Sequence, residues 1–179
     1  MKKIIYLIVF ISINVCAQSK YLTKTGQVSF EASVPSVEEV KADNKSVTAI
    51  LNIDNGEFAA LVFVKGFRFK NALMEEHFNE NYAESDTYPK AIFKGKILDL
   101  KYDDIETKAT YKVQGELTFH GEVKELKDIT FHILKDKDNI VISGEFEVSP
   151  SDFDIKIPKI VSNKIAETVK IKCHFILKN

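Results

Sequence analysis

The chain has 179 residues, 45% of them hydrophobic and thirteen of them Phe, which is enough apolar material for the core of one ordinary domain. Charged residues make up 28% yet cancel to a formal net charge of -1, so no broad field exists to gather phosphate backbones, and nucleic acid is not an expected partner. Seven Gly and four Pro are too few for a fibrous or disordered chain.

The chain opens like a targeting leader. Lys2 and Lys3 precede a run from Ile4 to Val15 that is apolar apart from Tyr6, Ser12 and Asn14, and the run is too short for a comfortable membrane span. Val15 and Ala17 occupy the small-residue positions of a leader-peptidase site, which predicts a signal peptide over 1–17 and a mature domain over 18–179. The rival reading is lipoprotein processing, with Cys16 as the acylated first residue. Either route implies a periplasmic or secreted protein with no stable membrane span once the leader is gone. Cleavage after Ala17 leaves Cys173 as the one mature cysteine, so no intramolecular disulfide is expected. Its alternation with Val169, Ile171, Phe175 and Leu177 predicts a buried structural thiol.

Beyond the leader, apolar residues recur with period two, the mark of strands with one buried face. The pattern appears first in Val28, Phe30, Ala32 and Val34, then less cleanly over Ser46 to Ile53. The next strand, Phe58 to Phe69, is apolar on both faces, so a helix is expected to cover its outer side. Asp54-Asn55-Gly56 between these two is hairpin punctuation.

A helix is predicted over Ala72 to Ala83. Asn71 is its N-cap, Glu75 and Glu76 favour its first turn, and Met74, Phe78 and Tyr82 form an apolar stripe with Leu73. Tyr88-Pro89 then stops the helix and a strand follows with Ala91, Phe93, Gly95 and Ile97 inward. The cleanest alternation runs from Thr107 to Phe119, with Ala109, Tyr111, Val113, Gly115, Leu117 and Phe119 on one side. His120-Gly121-Glu122 turns the chain toward a strand carrying Ile129, Phe131 and Ile133. Asp136 to Asn139 turns it again into Ile140, Ile142, Gly144, Phe146 and Val148, and Val169 to Leu177 completes the series. About eight strands joined by short turns, with one helix, fit an antiparallel β-barrel or sandwich in up-and-down order.

No motif for chemistry emerges. The four histidines, His77, His120, His132 and His174, stand at no ligand-like interval, so neither metal nor cofactor is expected. His132 and His174 share the polar faces of their strands, and His77 is expected to hydrogen-bond the helix to the barrel. A nucleophile elbow and a phosphate-cradling glycine loop are both missing, and the carboxylate pairs Glu75-Glu76 and Asp103-Asp104 are of the kind that helix starts and turns carry. The expectation is a protein that is not an enzyme.

Three stretches carry a family likeness. The run from Leu73 to Tyr82, followed by Tyr88-Pro89-Lys90-Ala91-Ile92-Phe93, resembles the middle of YceI-like proteins. Val113 to Gly121 looks like the hairpin of that family, and Ser151-Asp152-Phe153-Asp154-Ile155 looks like its Ser-Asp-Phe-Gly-Ile element with Asp154 in place of Gly. The N-terminal Trp-x-x-Asp-x-x-His-Ser pattern common in the family is absent, with Tyr21 to Gly26 near its place. The resemblance implies an all-β fold, an antiparallel eight-stranded lipocalin-like barrel with one short helix, whose pore holds an isoprenoid or similar lipid.

On this reading the inward aromatics Phe30, Phe93, Tyr111, Phe119, Phe131 and Phe146, joined by Phe63 and by Met74, Phe78 and Tyr82 of the helix, contact an elongated apolar ligand. Gly95, Gly115 and Gly144 on the same faces are expected to leave it room. The expected role is a cell-envelope lipid carrier or store, and the alternative is an interaction module with a packed barrel core. Oligomeric state is not legible.

Overall fold

The computed structural model describes residues 19–34 and 39–179. The leader and both of its processing sites lie outside the described residues. Nine antiparallel strands form one sheet: β1 (Lys20–Ser33), β2 (Lys41–Asn52), β3 (Glu57–Phe63), β4 (Arg68–Phe69), β5 (Lys90–Ile97), β6 (Thr110–Phe119), β7 (Glu122–Asp136), β8 (Asn139–Val148) and β9 (Ile165–Lys178). Neighbours pair in the order β2-β3-β5-β6-β7-β8-β9-β1, and β1 pairs back onto β2, so eight strands close a lipocalin-like ring. The two-residue β4 only extends the ladder beside β2, with Ala42 opposite Phe69. Closure pairs both edges of each barrel strand and removes templates for aggregation.

Two long strands change face partway along. In β1, Tyr21 and Thr23 point inward, and then Gly26, Val28, Phe30 and Ala32 do, because bulges shift the register against β2 on either side of Gly26. In β7, Leu126 and Ile129 are both buried across a register shift, and Asp128 takes a positive φ of 59°. These shifts hide the first halves of both strands from a strict two-residue reading, which finds only Val28 onward and Ile129 onward. β6 also begins later than expected, at Thr110.

Phe58 to Phe69 is not one strand. A 3-10 turn at Val64–Gly66 interrupts it, so Phe58, Ala60, Val62 and Val64 point inward and, after the turn, Phe67 does. Buried Asn44 fills the gap in the ladder, donating from Nδ2 to the Phe63 carbonyl at 2.9 Å and accepting from the Ser46 amide at 2.9 Å. Gly66 is required beside it, since a Cβ there would stand 2.5 Å from Asn44 Nδ2.

The interior has two storeys. At the end where both chain termini of the barrel lie, Leu51, Ile97, Val113, Ile133, Ile140, Ile142 and Leu177 are fully buried against one another. The β5–β6 connection plugs that end with Leu100 and Ile105, while Tyr102 stacks on Tyr21 at 6.5 Å. The opposite end carries the long connections, including the helix. Hairpin β6–β7 turns there through His120 and Gly121, both at positive φ (50° and 82°), as a two-residue turn matched to the strand twist.

Candidate ligand cavity

The upper storey is hollow. Its cavity measures about 410 Å³, inside the range of small-molecule sites, and its lining is mostly aliphatic and aromatic. The floor is a cluster centred on Phe58, whose ring stands 5.6 Å from Phe175, 5.9 Å from Phe131 and 6.1 Å from Phe93. Higher up, Phe30 packs against Phe67, Phe69 and Phe78 at 5.1 to 5.6 Å and ties the helix to the barrel wall.

The helix spans this open end. α1 (Ala72–His77) starts at Asn71, whose side chain accepts from the Leu73 amide at 2.9 Å as predicted, and continues as a wider π turn over Phe78–Tyr82. Glu75 binds the first turn to β4, reaching the Arg68 guanidinium at 3.0 Å and the Phe69 amide at 3.1 Å. Met74, Phe78 and Tyr82 therefore face the cavity from above. The helix does not cover the outer side of β3, contrary to expectation.

Eight of the ten aromatic and Met positions singled out in the sequence line this cavity: Phe30, Phe93, Phe119, Phe131, Phe146, Met74, Phe78 and Tyr82. Two do not. Phe63 is 52% exposed on the outer wall, with the Lys90 ammonium 5.9 Å from its ring, because β3 puts Phe58 rather than Phe63 inside. Tyr111 is inward but lies below the floor in the packed storey, where burial raises its pKa above the ordinary phenol value. Phe58, Phe67, Phe69 and Phe153 line the cavity without having been singled out; Phe58 lies on the face of β3 opposite Phe63, and the turn at Val64–Gly66 brings Phe67 and Phe69 to that same side.

The inward glycines do not border open space. A Cβ on Gly144 would come within 2.2 Å of Phe131 Cδ1, and one on Gly95 or Gly115 within 2.8 Å of Phe93 Cζ. These glycines leave the space that the Phe93 and Phe131 rings occupy. The room for a ligand lies above those rings.

Cys173 faces the cavity, with its thiol donating to the Gly144 carbonyl at 3.5 Å. Burial pushes its pKa up to about 12, so the sulfur stays protonated and weakly nucleophilic at neutral pH. His77 lines the mouth and bonds no barrel residue among those described; His120 provides the cross-link instead. Its Nδ1 lies 2.9 Å from the Phe153 carbonyl oxygen and its Nε2 2.9 Å from a Glu84 carboxylate oxygen, while its ring packs at a tilt against Tyr88 at 4.6 Å. The hairpin tip thereby holds together the segment after the helix and the 3-10 turn Pro150–Phe153.

That turn is anchored by a capping box. Asp152 accepts from the Ser149 amide at 2.9 Å and from Lys124 Nζ at 2.7 Å, which holds its carboxyl below the usual carboxylate range, Lys124 contributing most. Asp154 follows at a φ of 52°, the left-handed region that glycine occupies freely and Asp tolerates. This explains how Asp stands where the family motif has Gly.

Among the described residues no three His, Cys, Asp or Glu side chains converge as a metal-ligand set, and no helix is long and apolar enough to cross a membrane. The family model for the YceI-like domain matches residues 20–177. No curated protein matches the chain. Solved structures similar in fold include the following three. BcnA of Burkholderia cenocepacia is 17% identical with a TM-score of 0.72, covering 86% of this chain and 96% of its own. A polyisoprenoid-binding domain from Saccharophagus degradans, implicated in plant cell wall breakdown, is 13% identical with a TM-score of 0.74, covering 89% and 98%. A YceI protein of Campylobacter jejuni is 17% identical with a TM-score of 0.60, covering 82% and 90%.

Proposed function

Since this chain belongs to the YceI-like domain family, we propose that it binds an elongated apolar molecule, an isoprenoid or another lipid, inside the upper storey of the barrel. The observation that carries this reading is the cavity of about 410 Å³ above the Phe58 floor. A void of this size leaves its lining without dispersion partners unless a ligand supplies them. Apolar surface removed from water contributes about 25 cal/mol per Å², so a long hydrocarbon binds there with few polar contacts. The polyisoprenoid-binding description of the Saccharophagus degradans relative supports the ligand class. The hollow interior weighs against the alternative of an interaction module with a solid core.

The finer role we propose is that of a cell-envelope carrier or store without catalytic activity, exported by the leader over 1–17 and unmodified by lipid. The leader composition and the weakly nucleophilic Cys173 support it. Native mass spectrometry of gently purified protein, followed by organic extraction, tests the binding: an adduct that dissociates as a lipid is expected, and a protein that stays empty when offered isoprenoid and fatty-acyl lipids refutes it. Sequencing of the mature N-terminus should read from Gln18, and an acylated Cys16 would overturn the processing proposed here.

A further inference from the structure

We propose that the mouth of the barrel docks on an anionic lipid bilayer through the segment 155–164. This segment runs from the 3-10 turn toward β9 and forms one wall of the cavity, which Ile157, Val161 and Lys164 line. Between them Ile160 turns the other way and is 85% exposed, the most exposed large hydrophobic side chain among the described residues. The next in rank is Leu73, 57% exposed on the helix across the same mouth. Single exposed apolar residues need no explanation, but two that rank highest and share one rim do.

The charge of the segment matches a negative surface. Lys156, Lys159 and Lys164 are all exposed, none is ion-paired among the described residues, and no Asp or Glu occurs from Ile155 to Ala166. The chain as a whole is slightly acidic, so this basic stretch is local and sits at the open end. Acidic groups flank it at Asp154 and Glu167, and Glu76 and Glu80 are exposed on the helix. Lysines around a protruding isoleucine are the chemistry of an interfacial anchor, in which the ammonium groups meet anionic headgroups and the apolar tip enters the acyl boundary. Seated this way, the mouth faces the layer from which a lipid would come; that use of the contact rests on the ligand-binding reading above, whereas the contact itself does not.

The experiment is vesicle co-sedimentation with the chain from Gln18 onward, which holds all nine strands and lacks the apolar leader. Binding is expected to vesicles of phosphatidylcholine mixed with phosphatidylglycerol, to fall steeply with added salt, and to be weak for phosphatidylcholine alone. A lysine near an anionic surface is worth about fivefold in partitioning, so Lys156→Gln with Lys159→Gln should lower it about twenty-five-fold. Ile160→Ser should lower it about tenfold, by exposing a polar group where an apolar one was inserted. Lys156, Lys159 and Ile160 do not line the cavity, so uptake of the fluorescent probe N-phenyl-1-naphthylamine should be unchanged in these variants. No binding to the mixed vesicles, or variants that bind them as wild type does, overturns the proposal. Capture of an acidic protein by this rim without vesicle binding overturns it in favour of a protein partner. If vesicles bind as expected while neither the probe nor a lipid enters the cavity, the docking stands and the ligand-binding reading falls.

Discussion

Leu117→Trp separates a hollow interior from a packed one. Leu117 sits on β6, lines the cavity and packs against the buried core from its edge. An indole at this position grows into the void above the Phe93 ring and occupies space where a ligand chain would run. If it displaces about four methylene groups, each worth about 0.8 kcal/mol, the loss is about 3 kcal/mol, or roughly two-hundredfold in Kd. Because the larger side chain enters open volume, stability should change by less than about 1.5 kcal/mol. Probe titration gives the affinity and a denaturant melt gives the stability. Val113→Phe is the companion measurement: Val113 is fully buried in the lower storey, so overpacking should destabilise by about 1–3 kcal/mol while the affinity of the folded fraction holds. A Leu117→Trp variant that folds and keeps wild-type affinity would refute the cavity as the binding site, and one that unfolds would refute the void.

Three further outcomes follow from particular contacts. Gly144→Ala should destabilise by about 1–3 kcal/mol, since its Cβ would lie 2.2 Å from the Phe131 ring, and Phe131→Leu should recover part of the loss in a double-mutant cycle by equilibrium denaturation. The Cys173 thiol has a raised pKa of about 12, so its contribution to stability is complete below the ordinary thiol pKa and is lost as pH rises through the window from about 9 to 12. Melts over that window should fall less steeply for Cys173→Ala than for wild type, and equal slopes would contradict the raised pKa of this half-buried thiol. Asp152 has a lowered pKa, so its contribution is complete above the ordinary carboxylate pKa and is lost as pH falls through its folded value; Asp152→Ala should cost about 1 kcal/mol at neutral pH, with the difference closing in acid.

The barrel was legible wherever alternation runs unbroken, as in β6, β8 and β9, and wherever a turn names itself, as at His120-Gly121. Each failure has a local cause. The bulges around Gly26 and at Asp128, and the 3-10 turn at Val64–Gly66, each add one residue to a two-residue rhythm, so inward and outward exchange places without any change in composition. Phe63 was misplaced because both faces of its strand are apolar, which leaves periodicity nothing to choose between. The glycines misled for a different reason: the sequence shows that a side chain is missing, but only the tertiary packing shows that Phe93 and Phe131 already use the space. His120 read as turn punctuation, since its partners Glu84 and Phe153 are 36 and 33 residues away and no local pattern connects them.

The Phe58 floor closes the cavity from below, and its mouth lies at the helix end of the barrel. Below it, among the described residues, the interior is packed as far as the plug formed by Leu100 and Ile105, which closes the lower end. On the proposed reading, a bound guest would leave by the mouth through which it entered, the last part in being the first out. Such a container would have no built-in direction of travel, and what stands before its mouth would decide whether it fills or empties. The floor would also act as a depth stop: a chain longer than the upper storey would leave its remainder at the rim, within reach of whatever waits there.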